Sequence, residues 1–213
     1  MSGGIGARSH RLVAAVDVGS TSLRDADAVA YSGVGIAPSV GINPDALVVS
    51  THRVLTGSKD VHLTVAFCGA GAEEEQLQQL VLRLREQAGE ASSGWAIQVG
   101  RYRVGSSTAL EAAALGAVER ASRSGGRCVH FPGVGDLIGA VPIGEVASRS
   151  AIETVVEMDG RVPAPDALLR TERPPHPRWQ FGTLTLYVQP GVLGSYIPFE
   201  SGPAPEMPVQ SPR

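Results

Sequence analysis

The stretch VHLTVAF at residues 61–67 decides the fold of this chain, because it predicts a strand that is buried on one face and carries polar chemistry on the other. Side chains in a strand alternate between the two faces of a sheet. His62, Thr64 and Ala66 therefore point one way, and the larger apolar side chains point the other way. An imidazole and a hydroxyl two residues apart converge on one small volume, as a site that handles an anionic oxygen requires.

The segments on either side of this strand predict a hairpin and a helix. Residues 45–50 (DALVVS) predict a short strand, and the polar turn at residues 56–60 joins it to residues 61–67. Residues 73–90 predict an amphipathic helix, in which apolar side chains recur at helical spacing at Leu77, Leu80, Val81 and Leu84. Three glutamates in its first turn match the positive end of the helix dipole.

The remaining elements are less regular. Residues 11–18 predict a buried first strand, and the following thirty or so residues, rich in Gly, Ser, Asp and Pro, predict a long loop or a set of short pieces. Further along the chain we expect a half-exposed strand at 95–104, a helix at 108–123, a strand at 127–131, loop and short strand at 133–144, a helix or a strand at 148–158, an extended surface crossing at 161–177, and a terminal hairpin formed by 182–189 and 195–199.

These elements together predict one α+β (or α/β) domain over residues 10–200, with a mixed or antiparallel sheet packed against two main helices. Residues 1–9 are expected to be a flexible N-terminus and residues 201–213 a disordered tail. A chain of 213 residues is long enough for one ordinary domain.

The composition of the chain limits the classes of function that it can have. The chain is 43% hydrophobic and 18% charged, and no run approaches the roughly 18 apolar residues that cross a bilayer. We expect no membrane association, no export signal and, with only Cys68 and Cys128, reduced thiols in a cytoplasm. A net charge of -3 argues against a large nucleic-acid surface, although a local basic cluster stays open.

The order of these segments resembles the two-histidine phosphoesterases, the superfamily that includes the bacterial 2′-5′ RNA ligase-like proteins. The resemblance covers about half of the chain, and its one motif is His62-x-Thr64. Its segments are RLVAAVDV (11–18), VHLTVAFCGAG (61–71), EEEQLQQLVLRLRE (73–86), WAIQV (95–99) and LTLYVQPGVLGSYIPF (184–199).

The resemblance implies a metal-free and cofactor-free phosphodiesterase, a hydrolase that acts on a 2′,3′-cyclic or 2′-5′ linked nucleotide or an RNA end. A base activates the attacking group, an acid protonates the leaving oxygen, and hydroxyls hold the phosphoryl oxygens. By resemblance, His62 is one acid or base and Thr64 a phosphate ligand. The second His-x-Thr motif is absent. His130 stands in its place, with Pro132 where the second hydroxyl belongs.

Three other interpretations stay open. In the first, His62 is a partly buried strand residue that has a hydrogen-bonded ring and no catalytic role. A second interpretation is a non-catalytic interaction or accessory module with a protein partner, whose surface includes residues 133–144 and the proline-rich crossing. The third concerns Cys68, before Gly69-Ala70-Gly71, which is either a buried thiol in a tight turn or a nucleophile at a helix N-terminus.

Overall fold

The computed structural model describes residues 12–19 and 22–199. The expected flexible N-terminus at 1–9 and the expected disordered tail at 201–213 lie outside these residues. The helices are α1 (Leu23–Ile36), α2 (Glu74–Ala88), α3 (Ser107–Ser122) and the short α4 (Val146–Arg149). The strands are β1 (Ala14–Asp17), β2 (Leu47–Leu55), β3 (Val61–Gly69), β4 (Ala96–Val99), β5 (Tyr102–Val104), β6 (Arg127–His130), β7 (Gly139–Pro142), β8 (Thr154–Glu157), β9 (Leu168–Thr171), β10 (Arg178–Gln180), β11 (Thr183–Pro190) and β12 (Tyr196–Pro198).

The described residues form one α+β domain with a mixed sheet, as the sequence predicts. Its strand order is β5-β4-β1-β3-β2-β6-β10-β11-β12-β9-β7, with β8 added alongside β11. Most neighbours are antiparallel, whereas β8 with β11 and β12 with β9 are parallel. Within the described residues, no helix is long and apolar enough to cross a membrane.

The N-terminal half has the βαββαβ order of a split βαβ unit. Strands β4, β1, β3 and β2 are antiparallel neighbours in that order. Because β3 lies between β1 and β2, these two strands run parallel, and their connection must cross over the sheet. That connection is α1, a helix of 14 residues where the sequence predicts a long loop or a set of short pieces, so that prediction is wrong for residues 23–36. The described residues contain three long helices instead of the two predicted.

Small side chains let α1 approach the sheet closely. Its buried positions are Ala26, Ala30 and Gly33. A β-carbon added at Gly33 would lie 2.6 Å from Cζ of Phe67, which is itself fully buried in β3. The Ser22 hydroxyl accepts a hydrogen bond from the Asp25 amide and so caps the helix. Because its buried residues are small and fit against Phe67, α1 depends on this tertiary contact more than on its own composition.

Helix α2 confirms the helix predicted at 73–90 and lies beside α1 on one face of the sheet. Glu73 and Gln76 form a capping box at its start. The four apolar residues predicted to be its buried stripe are buried. Together α1, α2 and the sheet enclose the first hydrophobic core, which includes Val16, Val65 and Phe67.

Helix α3 covers the opposite face of the same strands and confirms the helix predicted at 108–123. Its apolar contact with the sheet is thin, formed by Val13, Ala66 and Cys68 with Ala117. The same face also carries the buried polar side chains of Asp17 and Thr64. The first core therefore lies on the side of α1 and α2, and the polar residues of the central strands lie beneath α3.

The C-terminal half extends the sheet from β6 and encloses a second core. The predicted terminal hairpin is confirmed as β11 with β12. Residues 148–158 contain a strand, β8, and the extended crossing at 161–177 contains the additional strand β9. Residues 95–104 are two strands instead of one, because Gly100, with φ of 52°, turns the chain between β4 and β5.

Candidate functional site

Polar side chains from three neighbouring strands meet beneath α3. The register aligns Asp17 of β1 with Thr64 of β3, and Thr64 with His52 of β2. Paired residues on neighbouring strands point to the same face, and so do residues two positions apart on one strand. His62 and Ser50 therefore belong to the same face as these three, and all five side chains point towards α3.

His62 is held by a buried carboxylate. Its Nδ1 lies 2.8 Å from Oδ2 of Asp17, and the other oxygen of Asp17 accepts a hydrogen bond from the Gly19 amide at 3.2 Å. Asp17 is 1% exposed, whereas the His62 side chain is 19% exposed. The carboxylate engages Nδ1 and fixes the ring, which leaves Nε2 as the nitrogen that a substrate can approach. A carboxylate that orients an imidazole in this way is a common feature of acid–base sites.

Thr64 lies on the same face as His62, as predicted, but α3 covers it completely. It is fully buried, and its Oγ1 has no hydrogen-bond partner among the described residues. A β-carbon added at Gly116 of α3 would overlap this oxygen. The structure therefore does not place the Thr64 hydroxyl where a phosphoryl group outside the helix could contact it.

His130 is not brought to His62. It pairs with Val49 of β2, whose side chain belongs to the core under α1 and α2, so the two histidines lie on opposite faces of the sheet. Its Nε2 contacts the Pro44 carbonyl oxygen at 2.9 Å, which its N–H can satisfy as a donor. The acid–base pair of His62 and His130 that the resemblance implies is not assembled in this structure.

A Ser-His-Glu network, which sequence reasoning missed, lies on the same face as His62. The Ser50 hydroxyl lies 2.8 Å from Nε2 of His52, and Nδ1 of His52 lies 3.0 Å from Oε2 of Glu119 in α3. Ser50 and His52 are two residues apart on a strand, which the sequence shows, but Glu119 is 67 residues away. Only the fold brings the third member of the set to the other two.

This network has the residue types of a nucleophile, a base and an orienting carboxylate, but it is closed. Ser50 and His52 are both fully buried. The backbone at Gly126 lies directly over the imidazole, since a β-carbon added there would stand 2.6 Å from Nδ1 of His52. No substrate can reach Ser50 Oγ in this arrangement, so the network ties α3 to the sheet.

Cys68 is also covered by α3. It is 5% exposed and packs with Val13, Ala66 and Ala117. Helix α2 begins only at Glu74, after the tight turn that contains Gly71 with φ of 76°. These contacts support the interpretation of Cys68 as a buried thiol in a structural turn. Cys128 is fully buried, and its burial raises the pKa of its thiol to about 12.

Among residues 12–19 and 22–199, no group of three or more His, Cys, Asp and Glu side chains is arranged to hold a metal ion. Comparisons with protein-family models, with curated proteins and with solved structures gave no match to this chain. The imidazole of His62, oriented by Asp17 and partly exposed, is a group on the α3 face that is both fixed in position and open to solvent.

Proposed function

We propose that this protein is a phosphoesterase-like hydrolase in which His62, oriented by Asp17, acts as the acid–base group on a 2′,3′-cyclic or 2′-5′ linked nucleotide. The observation that carries the proposal is the 2.8 Å contact between Nδ1 of His62 and the buried carboxylate of Asp17. The substrate class comes from the sequence resemblance, and the geometry supports the acid–base role.

The chemistry requires one base and a leaving group that departs easily. Nε2 of His62 removes a proton from water, the resulting hydroxide attacks phosphorus, and one phosphorus–oxygen bond of the ester breaks. The leaving oxygen then takes up a proton from the imidazolium or from solvent. Asp17 stabilises the imidazolium that forms after the first proton transfer. A strained cyclic phosphate suits a site with a single histidine, because opening the ring releases strain.

The test is hydrolysis of a panel of 2′,3′-cyclic mononucleotides and 2′-5′ linked dinucleotides in the presence of EDTA. We expect turnover by the unaltered protein, and a loss in His62→Ala of about 10²- to 10⁴-fold, the typical contribution of one acid–base group. Asp17→Asn should give a smaller loss, because the ring remains but the imidazolium loses its partner charge.

His130→Ala is the matched control. It removes an imidazole from the opposite face of the sheet and should leave turnover unchanged once its thermal stability has been checked. Equal losses in His62→Ala and His130→Ala would instead support the two-histidine pair implied by the resemblance. Absence of turnover across the panel, or full activity in His62→Ala, rejects the proposal.

A second candidate function, the interaction module, is favoured by one observation. Phe181, at the turn between β10 and β11, is 93% exposed and has φ of 49°. A bulky residue at positive φ is strained, and an exposed aromatic side chain gains nothing from burial, so its presence is consistent with contact to a protein partner. Phe181→Asn should abolish such an interaction and leave hydrolysis by His62 unchanged.

A further inference from the structure

A cavity of about 370 Å³ lies on β10 and β11, on the face of the sheet opposite to α3. Its walls include Met158, His176, Arg178, Gln180, Tyr187 and Phe199. Trp179 marks the opposite face, because the guanidinium groups of Arg120 and Arg123 stack on its ring from the α3 side, at 4.9 and 4.6 Å. Arg178 and Gln180, its neighbours on β10, therefore point away from α3. The volume falls within the range of about 300 to 1,000 Å³ that small-molecule sites occupy.

The back of this cavity is fixed by a bidentate ion pair. Arg127 of β6 contacts both carboxylate oxygens of Asp27 in α1, at 2.7 and 3.1 Å. The same guanidinium lies 2.8 Å from Nδ1 of His176. Because a guanidinium can only donate, Nδ1 of His176 must accept, and the ring hydrogen is therefore on Nε2.

This assignment leaves a buried donor without an acceptor. Nε2 of His176 is buried and has no hydrogen-bond partner among the described residues. Burial, assisted by the positive charge of Arg127, lowers the pKa of His176 to about 4, so the ring is neutral near pH 7 and its tautomer is fixed. An unsatisfied buried N–H costs about 1–3 kcal/mol, so a ligand oxygen that reaches Nε2 through a small shift of the cavity wall is favoured.

The other walls indicate which kind of ligand fits. Arg178 brings a second guanidinium to the cavity, and burial and the charge of Arg127 lower its pKa, as expected where positive charge is concentrated. The Tyr187 hydroxyl donates to Oε1 of Gln180, which leaves the amide hydrogens of Gln180 as further donors. Met158 and Phe199 supply apolar surface at the rim.

We propose that this cavity binds a small anionic ligand, a carboxylate or phosphate carried on an apolar or aromatic body. The oxyanion accepts hydrogen bonds from the Arg178 guanidinium and, once the cavity wall shifts to uncover it, from Nε2–H of His176, and the apolar body packs against Met158 and Phe199. The site lies on the face of the sheet opposite to His62 and does not depend on the proposed hydrolase function.

Calorimetric titration with four probes tests the proposal on the full chain. Benzoate and phenyl phosphate carry both the oxyanion and the ring, inorganic phosphate carries the oxyanion alone, and benzyl alcohol carries the ring alone. We expect benzoate or phenyl phosphate to bind at millimolar concentration or below, more tightly than either partial probe. Absence of binding by both full probes at that concentration overturns the proposal.

Three variants test whether the ligand binds in this cavity. Arg178→Gln and His176→Phe should each weaken it by about tenfold or more, the usual effect of losing one charge-assisted or buried hydrogen bond. Arg173→Gln removes an exposed arginine from the preceding segment and should leave the affinity unchanged. Equal weakening in Arg173→Gln and Arg178→Gln would mean diffuse charge attraction and would overturn the proposal.

A nitrogen-15 NMR spectrum of the imidazole gives an independent readout if His176→Phe lowers stability. The unliganded protein should show hydrogen on Nε2 and none on Nδ1 of His176, and saturating benzoate should shift the Nε2 resonance. A hydrogen on Nδ1, or no shift at saturation, contradicts the site as described.

Discussion

Gly116 and Thr64 are in direct backbone-to-side-chain contact across the interface between α3 and the sheet. A β-carbon added at Gly116 would overlap Oγ1 of Thr64 and lie 3.0 Å from its Cβ. Thr64 is fully buried in the middle of β3 and cannot move outward. The absence of a side chain at position 116 is therefore what allows α3 to cover the polar face of the central strands.

Gly116→Ala should destabilise the protein although alanine favours helix. At a helix position with free space, replacing glycine by alanine raises the free energy of unfolding by roughly 0.5–1 kcal/mol. Overpacking a closed interface lowers it by about 1–3 kcal/mol. Urea denaturation measures the difference. Gly35→Ala in α1 is the control, because an added β-carbon there has nothing within 4 Å and should stabilise. A gain of equal size at both positions would show that α3 lies further from the sheet.

The contact between the buried His52 and the partly exposed Glu119 predicts a second stability effect. Glu119→Ala leaves Nδ1 of a fully buried imidazole without its carboxylate, which should cost about 1–3 kcal/mol. Glu111→Ala in the same helix removes an exposed contact to the Gly57 amide and should change the free energy of unfolding by about 0.5 kcal/mol or less. Glu119→Gln, which keeps an acceptor, should recover part of the loss. Equal values for Glu119→Ala and Glu111→Ala in urea denaturation would show that the contact between Glu119 and His52 contributes nothing.

Local patterns made the β2–β3 hairpin and α2 predictable, although β2 extends to Leu55, five residues beyond the end of the strand predicted at 45–50. Helix α1 was missed because its buried positions are Ala26, Ala30 and Gly33, which do not form a visibly apolar stripe. Their fit against Phe67 exists only after folding. Segments whose helical state depends on such a contact cannot be assigned from their own composition.

The candidate site was likewise predictable from the sequence only in part. Alternation along β3 correctly put His62 and Thr64 on one face. The partner of His62 is Asp17, 45 residues earlier, and the cover over Thr64 is a helix that follows much later in the chain. No spacing rule connects these groups, because strand order and helix placement decide which of them meet.

The turn at Phe181 and Gly182 predicts a stabilising exchange. The two residues have φ of 49° and 88° and join β10 to β11, the geometry of a two-residue hairpin turn that favours Asn-Gly. Phe181→Asn should therefore stabilise by about 1 kcal/mol, because asparagine tolerates positive φ and an exposed phenyl ring gives up little buried area. Phe181→Val, with a β-branched side chain, should destabilise. Thermal unfolding of both variants measures the effect, and a loss of stability in Phe181→Asn would mean that the ring packs in the folded state.

His176 predicts a pH dependence of stability with a definite sign. Burial and Arg127 lower its pKa in the folded protein to about 4, and Asp27 opposes this effect, whereas the unfolded value is near 6.5. Between these values the unfolded chain binds more protons than the folded protein, so the free energy of unfolding rises with pH. The contribution is complete above about pH 6.5 and is lost as the pH falls towards 4, with a size on the order of 3 kcal/mol.

Urea denaturation of the unaltered protein and of His176→Asn, measured at intervals from pH 4 to pH 7, isolates this contribution. Other titrating groups affect both curves equally, so the difference between the curves belongs to His176 and its contacts with Arg127. Asparagine keeps an oxygen that can accept from Arg127 but does not titrate in this range. The two stabilities should therefore converge towards pH 4 and separate as the pH rises, whereas parallel curves would mean that the imidazole is solvated and titrates normally.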